Sequence, residues 1–297
     1  MQGVVTKSTG SWYRVRLDDG TYHQCRIKGK FRIGGLKSTN PISVGDRVKL
    51  SLEGNDYLIN EILQRKNYII RKSVNLSKQV HIIASNIDQA FLIVTLVSPF
   101  TSTGFIDRFL VTAEAYQVPT IIVFNKVDLY DEFDRKYHDE VVNMYSEAGY
   151  ECIDVSALNQ QNISVLTGRM KDNVTLLSGH SGVGKSTLVN AIDPNLDLIT
   201  QQVSDAHQKG MHTTTFAEMF ELDFGGFIID TPGIKGLGLV EIEDSELADY
   251  FPEMLAYKGK CKFHNCKHVN EPKCAVKSAL DTGGIHPIRY DSYISML

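Results

Sequence analysis

The sequence predicts a multidomain protein with an N-terminal β-barrel of the OB type, a central α/β domain and a small C-terminal module. Short alternating runs fill residues 1–70, and turn signals separate them. Apolar strands and amphipathic helices alternate through residues 71–240, which is typical of a mostly parallel sheet covered by helices. Residues 241–297 contain a tight cluster of cysteines with a histidine. A chain of 297 residues is long enough for two domains and a small module.

Five short runs in the first 65 residues suit a small closed barrel. They are Gly3–Lys7, Trp12–Leu17, Thr21–Ile27, Arg47–Leu52 and Tyr57–Ile62. The open face of an OB barrel commonly binds oligonucleotides. A basic segment and several aromatic residues lie close together here: Arg26, Lys28, Lys30, Arg32 and Lys37, with Trp12, Tyr13, Tyr22 and Phe31. Two interpretations stay open: phosphate contacts with base stacking, or aromatic residues in the core and solvated charges.

Residues 71–88 are interpreted as a linker, and the α/β pattern follows. Strands are expected at Phe91–Val97, Pro119–Phe124, Tyr150–Val155 and Val174–Ser178. Helices are expected at Phe105–Gln117, Asp131–Ala148, Ile163–Met170 and Ser186–Ile192. This rhythm predicts a mostly parallel sheet with helices on both faces.

A phosphate-binding loop is predicted between the fourth of these strands and the helix after it. The stretch Gly179-His180-Ser181-Gly182-Val183-Gly184-Lys185-Ser186-Thr187 fits G-x-x-x-x-G-K-[ST]. Its glycines let backbone N–H groups surround phosphate oxygens at a helix N-terminus. Lys185 would reach the β- and γ-phosphates, and the Ser186 hydroxyl would bind Mg²⁺. The alternative is a Gly-rich turn without a ligand, but the strand and helix context favours a nucleoside triphosphate site.

Two further motifs predict that the base is guanine. Asn125-Lys126-Val127-Asp128 matches N-K-x-D at the end of a strand, where the Asp128 carboxylate accepts two guanine N–H groups. Adenine does not offer that donor pair. Ser156-Ala157 follows the next strand, where a backbone N–H would meet the guanine oxygen. A polar strand-to-helix turn is the alternative for the first motif.

Two switch segments are predicted after the phosphate loop. A polar connection leads to a run of threonines, of which Thr214 is the candidate to cap Mg²⁺ and sense the γ-phosphate. A hairpin then leads into Asp230-Thr231-Pro232-Gly233, which matches D-x-x-G. Asp230 would hold Mg²⁺ through water, and the Gly233 N–H would touch the γ-phosphate. Because N-K-x-D precedes the phosphate loop, the motif order predicts a circularly permuted P-loop GTPase domain, in which the last switch segment leads directly into the C-terminal module.

The C-terminal module carries a predicted structural zinc site. Cys261-x4-Cys266-x-His268-x5-Cys274 supplies three thiolates and one imidazole, a closed tetrahedral set. A short, lysine-rich segment with little apolar content needs a bound metal ion to stabilise its fold. His264 is a competing ligand, although the spacing favours His268. The alternative is a set of scattered reduced cysteines.

Charge and composition limit the possible partners. Residues 1–72 carry a net charge of +8, residues 73–255 carry −16, and residues 256–297 carry +4. The basic ends therefore suit a polyanion, although solvated lysines would explain the same pattern. No stretch is apolar enough for a membrane span, and the N-terminus has no signal-peptide core. Clustered cysteines indicate metal binding in a reducing cytosol.

With these motifs assembled, the chain resembles the circularly permuted ribosome-assembly GTPases, the ribosome small-subunit-dependent GTPase A family of bacteria. The resemblance covers the basic barrel, the permuted motifs and the C-x4-C-x-H-x5-C cluster. It implies a cytoplasmic, monomeric GTPase with structural Zn²⁺ and with Mg²⁺ bound alongside GTP or GDP. Its partner would be the small ribosomal subunit during late maturation, and the two basic ends would bind the rRNA of that subunit. The protein would be released from the subunit on GTP hydrolysis.

Catalysis is expected to differ from that of Ras-type enzymes. Those enzymes place a water-orienting glutamine after D-x-x-G, and this chain has Ile234 there, so unassisted hydrolysis should be slow. The resemblance implies that His212 takes this role; a packed or solvated His212 is the alternative. The family has a basic residue before that histidine, where this chain has Met211.

Two other functions remain open at this point. The chain could be a switch or scaffold in which hydrolysis is incidental, which partner-stimulated turnover would exclude. It could also be an ATP-dependent P-loop enzyme, which the N-K-x-D motif disfavours and nucleotide competition would settle.

Overall fold

The structure, a computed structural model, describes residues 1–28, 41–72, 80–196, 217–230 and 242–297. Its N-terminal unit contains five strands. They are β1 (Gln2–Ser8), β2 (Tyr13–Leu17), β3 (Tyr22–Ile27), β4 (Arg47–Glu53) and β5 (Asp56–Ile62).

These five strands close into a barrel. Their order is β1-β2-β3-β5-β4, and β4 pairs back with β1. The β3–β5 pair is parallel, and the other pairs are antiparallel. The alternating apolar residues point inward, so that Val5, Tyr13, Val15, Cys25 and Ile59 are fully buried. The prediction of an OB-type barrel is confirmed.

The interpretation of residues 71–88 as a linker is wrong for the residues that the structure describes. Strands β6 (Tyr68–Lys72) and β7 (Val80–Ser85) form an antiparallel pair. Ile69 and Ile82 are buried because the pair packs against the neighbouring units. The apolar runs are short and flanked by polar residues, so their periodicity is weak. The predicted domain boundaries at residues 70 and 240 remain predictions.

The central unit is an α/β sheet. Its strands are β8 (Gln89–Val94), β9 (Thr120–Asn125), β10 (Glu151–Val155), β11 (Val174–Ser178), β12 (Glu218–Glu221) and β13 (Phe227–Asp230). Its helices are α1 (Thr103–Ala115), α2 (Glu132–Glu147), α3 (Ile163–Met170) and α4 (Lys185–Ile192).

The strand order β10-β9-β8-β11-β13-β12 confirms the predicted sheet. Each neighbouring pair is parallel except β12–β13, which is the predicted hairpin. Apolar residues of α1 and α2 pack on one face, and those of α3 and α4 pack on the other. The carboxyl ends of the parallel strands therefore meet at one edge, where α/β proteins bind their ligands.

The barrel and the central sheet are physically continuous. Strand β1 pairs with β12, so that the described strands of both units form one 11-stranded sheet. Lys7 Nζ lies 2.6 Å from Glu218 Oε2 at this junction. Arg16 donates two hydrogen bonds to the Glu221 carboxylate, at 2.7 and 2.6 Å, and Tyr22 donates a third at 2.9 Å. The barrel is thus joined to the hairpin that ends in Asp230.

The C-terminal module is a small helical unit. It contains a 3-10 helix at Leu247–Tyr250, α5 (Pro252–Leu255), α6 (Ala275–Asp281) and α7 (Pro287–Met296). Its core, which includes Phe251 and Tyr293, also takes in Val111 from α1 of the central unit. Within the described residues, no helix has the length and apolar character to cross a bilayer.

A buried ion network fastens this module to α1. Arg289 on α7 is fully buried and donates to Asp107 Oδ1 on α1 at 2.5 Å. It also donates to both carboxylate oxygens of Glu253 on α5, at 2.7 and 3.2 Å. Tyr145 from α2 donates to the same Asp107 oxygen at 2.9 Å. Burial alone would lower the pKa of Arg289, but the two carboxylates raise it and keep it charged.

We expect Arg289→Met to lower the free energy of unfolding by about 3–5 kcal/mol, because it leaves two carboxylates buried without their cation. Urea titration followed by circular dichroism measures the loss. The matched control is Arg169→Met, which removes an exposed pair with Glu151 and should cost at most about 1 kcal/mol. Equal losses in the two variants would contradict the role given to the buried network.

Candidate nucleotide-binding site and metal centre

The predicted phosphate loop joins β11 to α4 at the carboxyl edge of the sheet. Its glycines occupy conformations that side chains rarely adopt, with φ of 148° at Gly179 and 89° at Gly182 and Gly184. A Cβ on Gly179 would lie 2.4 Å from the Ile93 carbonyl oxygen, and one on Gly184 would lie 2.6 Å from Asn125 Nδ2. Glycine is therefore required at both positions by sterics and backbone conformation.

Lys185 begins α4 and folds back across the loop. Its Nζ donates to the carbonyl oxygens of Gly179, at 2.5 Å, and His180, at 2.8 Å. Burial lowers the pKa of Lys185, and the negative charge of Asp230 partly opposes that effect. Ser186 and Thr187 are exposed in the first turn of the same helix. A cation and a helix N-terminus thus lie at the same loop, an arrangement that favours anions.

The loop after β8 also supports the phosphate loop. His180 Nδ1 lies 3.0 Å from the Ser181 carbonyl oxygen, which only accepts, so Nδ1 carries a proton. Its Nε2 lies 2.6 Å from the Thr101 hydroxyl, which donates to it when the ring is neutral. A Cβ on Gly182 would lie 3.3 Å from two ring carbons of Pro99. The sequence alone did not indicate a role for Pro99 or Thr101. Both lie in the loop after a parallel strand, where α/β proteins bind ligands, and that position could have indicated one.

Asn125 connects the predicted base-binding motifs to the phosphate loop. Its side chain is 1% exposed. Nδ2 donates to the Val183 carbonyl oxygen at 2.8 Å, and Oδ1 accepts from the Ala157 N–H at 3.1 Å. The predicted residues of three separate loops are therefore brought together by one amide. The Ala157 N–H, one of the backbone donors of the loop that is predicted to meet the base, is engaged by Asn125 here, so a guanine oxygen that used this donor would have to share or replace that bond.

The other residues predicted to face the base lie on the loops after β9 and β10. Lys126 adopts a left-handed conformation with φ of 65°, and its Nζ donates to the carbonyl oxygens of Ser98, at 2.6 Å, and Gly182, at 2.8 Å. Its stem therefore runs from one loop to the next. Asp128 is exposed in the 3-10 turn Val127–Leu129, where its carboxylate can accept hydrogen bonds from a ligand. Ser156 is buried and its hydroxyl accepts from the Asn159 N–H at 3.1 Å.

Part of the predicted Mg²⁺ site lies within the residues that the structure describes. Asp230 ends β13, opposite Leu177 of β11 and Glu218 of β12. This position places it beside the strand that leads into the phosphate loop. Ser186, the other described residue that is predicted to bind Mg²⁺, is exposed at the start of α4. His212, Thr214 and Gly233 lie outside the described residues.

The C-terminal module brings the four predicted metal ligands together. The ligand atoms of Cys261, Cys266, His268 and Cys274 all lie within 4.8 Å of one another, and this group could hold a metal ion. The Cys261 and Cys274 sulfurs are 3.9 Å apart, and His268 Nδ1 lies 3.6 Å from the first and 3.3 Å from the second. Tetrahedral zinc with ligand bonds of about 2.3 Å to sulfur and 2.0 Å to nitrogen requires about 3.8 Å and 3.5 Å for these separations. The residues fit zinc.

The surroundings of the cluster suit thiolate ligands. The Ala275 N–H donates to Cys261 Sγ at 3.3 Å, and the Lys277 N–H donates to Cys274 Sγ at 3.4 Å. Such bonds orient ligating sulfurs and stabilise their negative charge. Tyr290 on α7 donates to the His268 carbonyl oxygen at 2.7 Å, which ties the cluster to the helix that carries Arg289. His264 is exposed and is not part of the cluster.

Comparisons with known proteins agree with this architecture. The family model described as RsgA GTPase matches residues 62–240, and the model described as RsgA N-terminal domain matches residues 2–57. A relative from Christiangramia forsetii, named small ribosomal subunit biogenesis GTPase RsgA, is 56% identical over 100% of this chain and 96% of its own.

Two solved structures are similar over nearly the whole chain. YjeQ from Thermotoga maritima superposes with a TM-score of 0.81 at 36% identity, and covers 99% of this chain and 96% of its own. YloQ, described as a circularly permuted GTPase, has a TM-score of 0.78 at 32% identity, and covers 99% of this chain and 92% of its own. The permuted order inferred from the motifs is thus shared with a solved fold.

Proposed function

The chain belongs to the RsgA GTPase family, and on this premise we propose that it hydrolyses GTP while assisting late maturation of the small ribosomal subunit. In this proposal it binds the subunit's rRNA and is released on hydrolysis. The observation that carries the proposal is the assembly of the phosphate loop, N-K-x-D and the Ser156-Ala157 loop around the buried Asn125.

The residues of the phosphate loop would hold the triphosphate. Its backbone N–H groups, from Gly179 to Thr187, would surround the phosphate oxygens. Lys185 would give up a hydrogen bond to a loop carbonyl and donate to the β- and γ-phosphates instead. Ser186, Asp230 and Thr214 would hold Mg²⁺, which neutralises charge on the phosphates when bound. Gly233 would donate its N–H to the γ-phosphate.

Base selection would fall to the loops after β9 and β10. The exposed Asp128 carboxylate would accept two N–H groups from guanine, while Lys126 would cover one face of the ring. Asn125 would hold this arrangement against the phosphate loop. Attack by water would depend on His212, since Ile234 offers no polar group at the position after D-x-x-G.

The rRNA contacts would lie on the barrel and on the C-terminal module. Arg26 stacks on the exposed Trp12 ring at 3.9 Å, and Arg14 stacks on the exposed Tyr22 ring at 4.6 Å. Tyr13, in contrast, is fully buried, so the aromatic residues divide between core and surface. Cation–aromatic pairs of this kind suit a single-stranded or looped nucleic acid. Lysines around the metal cluster would add phosphate contacts: Lys258, Lys260, Lys262, Lys267, Lys273 and Lys277.

Coupling of hydrolysis to release is supported by the barrel junction. Strand β12 lies between β1 of the barrel and β13, which ends in Asp230. A movement of the Mg²⁺-binding edge would therefore reach the barrel through Glu218 and its partner Lys7. The protein would act as a monomer, because one chain supplies every predicted part of the site. It would act in the cytoplasm, where a reducing environment keeps clustered metal-binding cysteines as thiolates.

We expect GTP turnover to rise at least about tenfold when purified small ribosomal subunits are added, since the chain alone lacks a water-orienting glutamine. ATP turnover should stay at background with and without subunits. Steady-state phosphate release measures both rates. Tight GTP binding without stimulation would favour the scaffold alternative, and equal use of ATP would contradict the guanine assignment.

We expect one zinc ion per chain, and removal of the zinc with a strong chelator should expose residues 242–297 to protease and abolish binding to the small subunit. The reason is that metal binding by such clusters contributes about 10–16 kcal/mol to folding. Metal analysis and limited proteolysis measure the two effects. Cys152→Ala, which changes a cysteine outside the cluster, should keep its zinc. Unchanged protease resistance after chelation would contradict the structural role of the metal.

A further inference from the structure

A buried histidine lies beneath the base side of the proposed nucleotide site. His138, in the second turn of α2, is 8% exposed and has no part in the site described above. Its ring meets the Phe124 ring edge-on at a centroid distance of 5.1 Å and the Tyr130 ring at 5.4 Å. Its Nε2 lies 2.8 Å from the Asp154 carboxylate.

Each of these neighbours adjoins one of two loops, which we call the base-side loops: residues 125–130 after β9 and residues 156–161 after β10. Phe124 immediately precedes Asn125, and Tyr130 closes the turn that holds Asp128. Asp154 lies on β10 two residues before Ser156. One imidazole thus touches supports of both loops.

Asp154 is itself tied to the second loop. Asn162 donates its side-chain N–H to the Asp154 carbonyl oxygen at 2.8 Å. Backbone bonds between Ser156 and Gln161, at 3.0 and 3.3 Å, close the loop between them. A change in the position of Asp154 would therefore move the backbone that presents Ala157.

The hydrogen-bond geometry selects the charged form of His138. Nε2 faces Asp154 Oδ1, and Nδ1 lies 3.4 Å from Asp139 Oδ1. Ionised carboxylates only accept, so both contacts are hydrogen bonds when both ring nitrogens carry protons. Burial alone would lower the pKa of His138, but the two aspartates outweigh burial and raise it. Among the described residues, the ionisable side chains beside the ring are Asp154 on β10, Asp139 on α2 and Tyr130, whose ring centroid lies 5.4 Å away.

We propose that protonated His138, bridged to Asp154, is a positioning residue that fixes the separation of the two base-side loops and thereby sets the affinity for the guanine base. This inference rests on the proposed function, since it requires that these loops bind guanine. It assigns His138 no contact with the nucleotide. A neutral His138 loses its ion pair with Asp154, so that guanine affinity declines as the pH rises through the raised pKa of His138.

The ion pair between His138 and Asp154 also contributes to the free energy of unfolding, and this contribution declines with rising pH just as the guanine affinity does. A folded-state pKa above the unfolded value means that the pair stabilises the protein fully below about pH 6.5. This stabilisation is lost as the pH rises through the folded-state pKa.

The test is the affinity of the full chain for fluorescent GDP with Mg²⁺, measured from about pH 6 to about pH 9. At the acidic end, we expect Asp154→Asn to weaken GDP binding on the order of tenfold, because it removes the charge that His138 faces. The variant should also flatten the pH dependence seen in the unaltered chain. In subunit-stimulated turnover, KM for GTP should rise by a similar factor while kcat stays within about twofold.

A second variant keeps the proposal testable if Asp154→Asn folds poorly. His138→Gln retains a donor near the Nε2 position without a charge, and should give an intermediate affinity that does not change with pH.

Two matched controls separate positioning from general stability. Asp139→Asn changes only the exposed partner, so at the acidic end of the range, where His138 keeps its proton, it should alter GDP affinity less than about twofold, and it should move the decline in affinity to lower pH. Val141→Ala removes buried volume from the same helix, so it should lower Tm while leaving GDP affinity and its pH dependence unchanged.

The outcomes separate this inference from the proposed function. If Asp154→Asn lowers Tm but keeps the affinity and pH profile of the unaltered chain, His138 only fills the core and the inference is wrong. If the unaltered chain binds GDP no better than ADP, the proposed function fails, and the inference fails with it.

Discussion

The nucleotide site depends on the buried side chain of Asn125. Strand β8 lies between the strand that ends at Asn125 and the strand that leads into the phosphate loop, and one amide spans that gap to Val183. The same amide accepts from Ala157 on the far side. Because the group is buried, losing either partner would leave a polar atom unsatisfied, at about 1–3 kcal/mol. The three loops therefore keep a common geometry although permutation has changed their order along the chain.

Both terminal units attach to parts of the central α/β unit that adjoin this site. The barrel extends the sheet through β12, next to the strand that ends in Asp230. The C-terminal module holds α1 through Arg289, and α1 starts directly after the loop in which Thr101 contacts His180. Non-covalent contacts, and not only the covalent chain, therefore connect each unit to the site. A conformational change at the phosphate loop or at Asp230 can therefore be transmitted through packed contacts to both basic ends of the chain.

The sequence was sufficient for whatever depends on local pattern. Helix Ile163–Met170 and strand Val174–Ser178 have the bounds that periodicity predicts, and the ligand spacing identified the four residues that the fold brings together. Features that arise only from tertiary packing were not predictable. Nothing local marks Arg289 as buried rather than solvated, or His138 as enclosed by two loops. Strands β6 and β7 were missed because each buries few side chains until it packs on its neighbours. The roles of His212, Thr214 and Gly233 remain predictions.

The central claim is that Asp128, held through Asn125 against the phosphate loop, reads guanine in this permuted chain. The most direct test is the affinity of Asp128→Asn for GDP and for xanthosine diphosphate, whose base carries a carbonyl oxygen where guanine has its amino group. An asparagine amide can accept one N–H and donate to that oxygen. The account predicts that the variant loses GDP affinity by at least about a hundredfold and gains affinity for xanthosine diphosphate. Undiminished binding of GDP by the variant would contradict it.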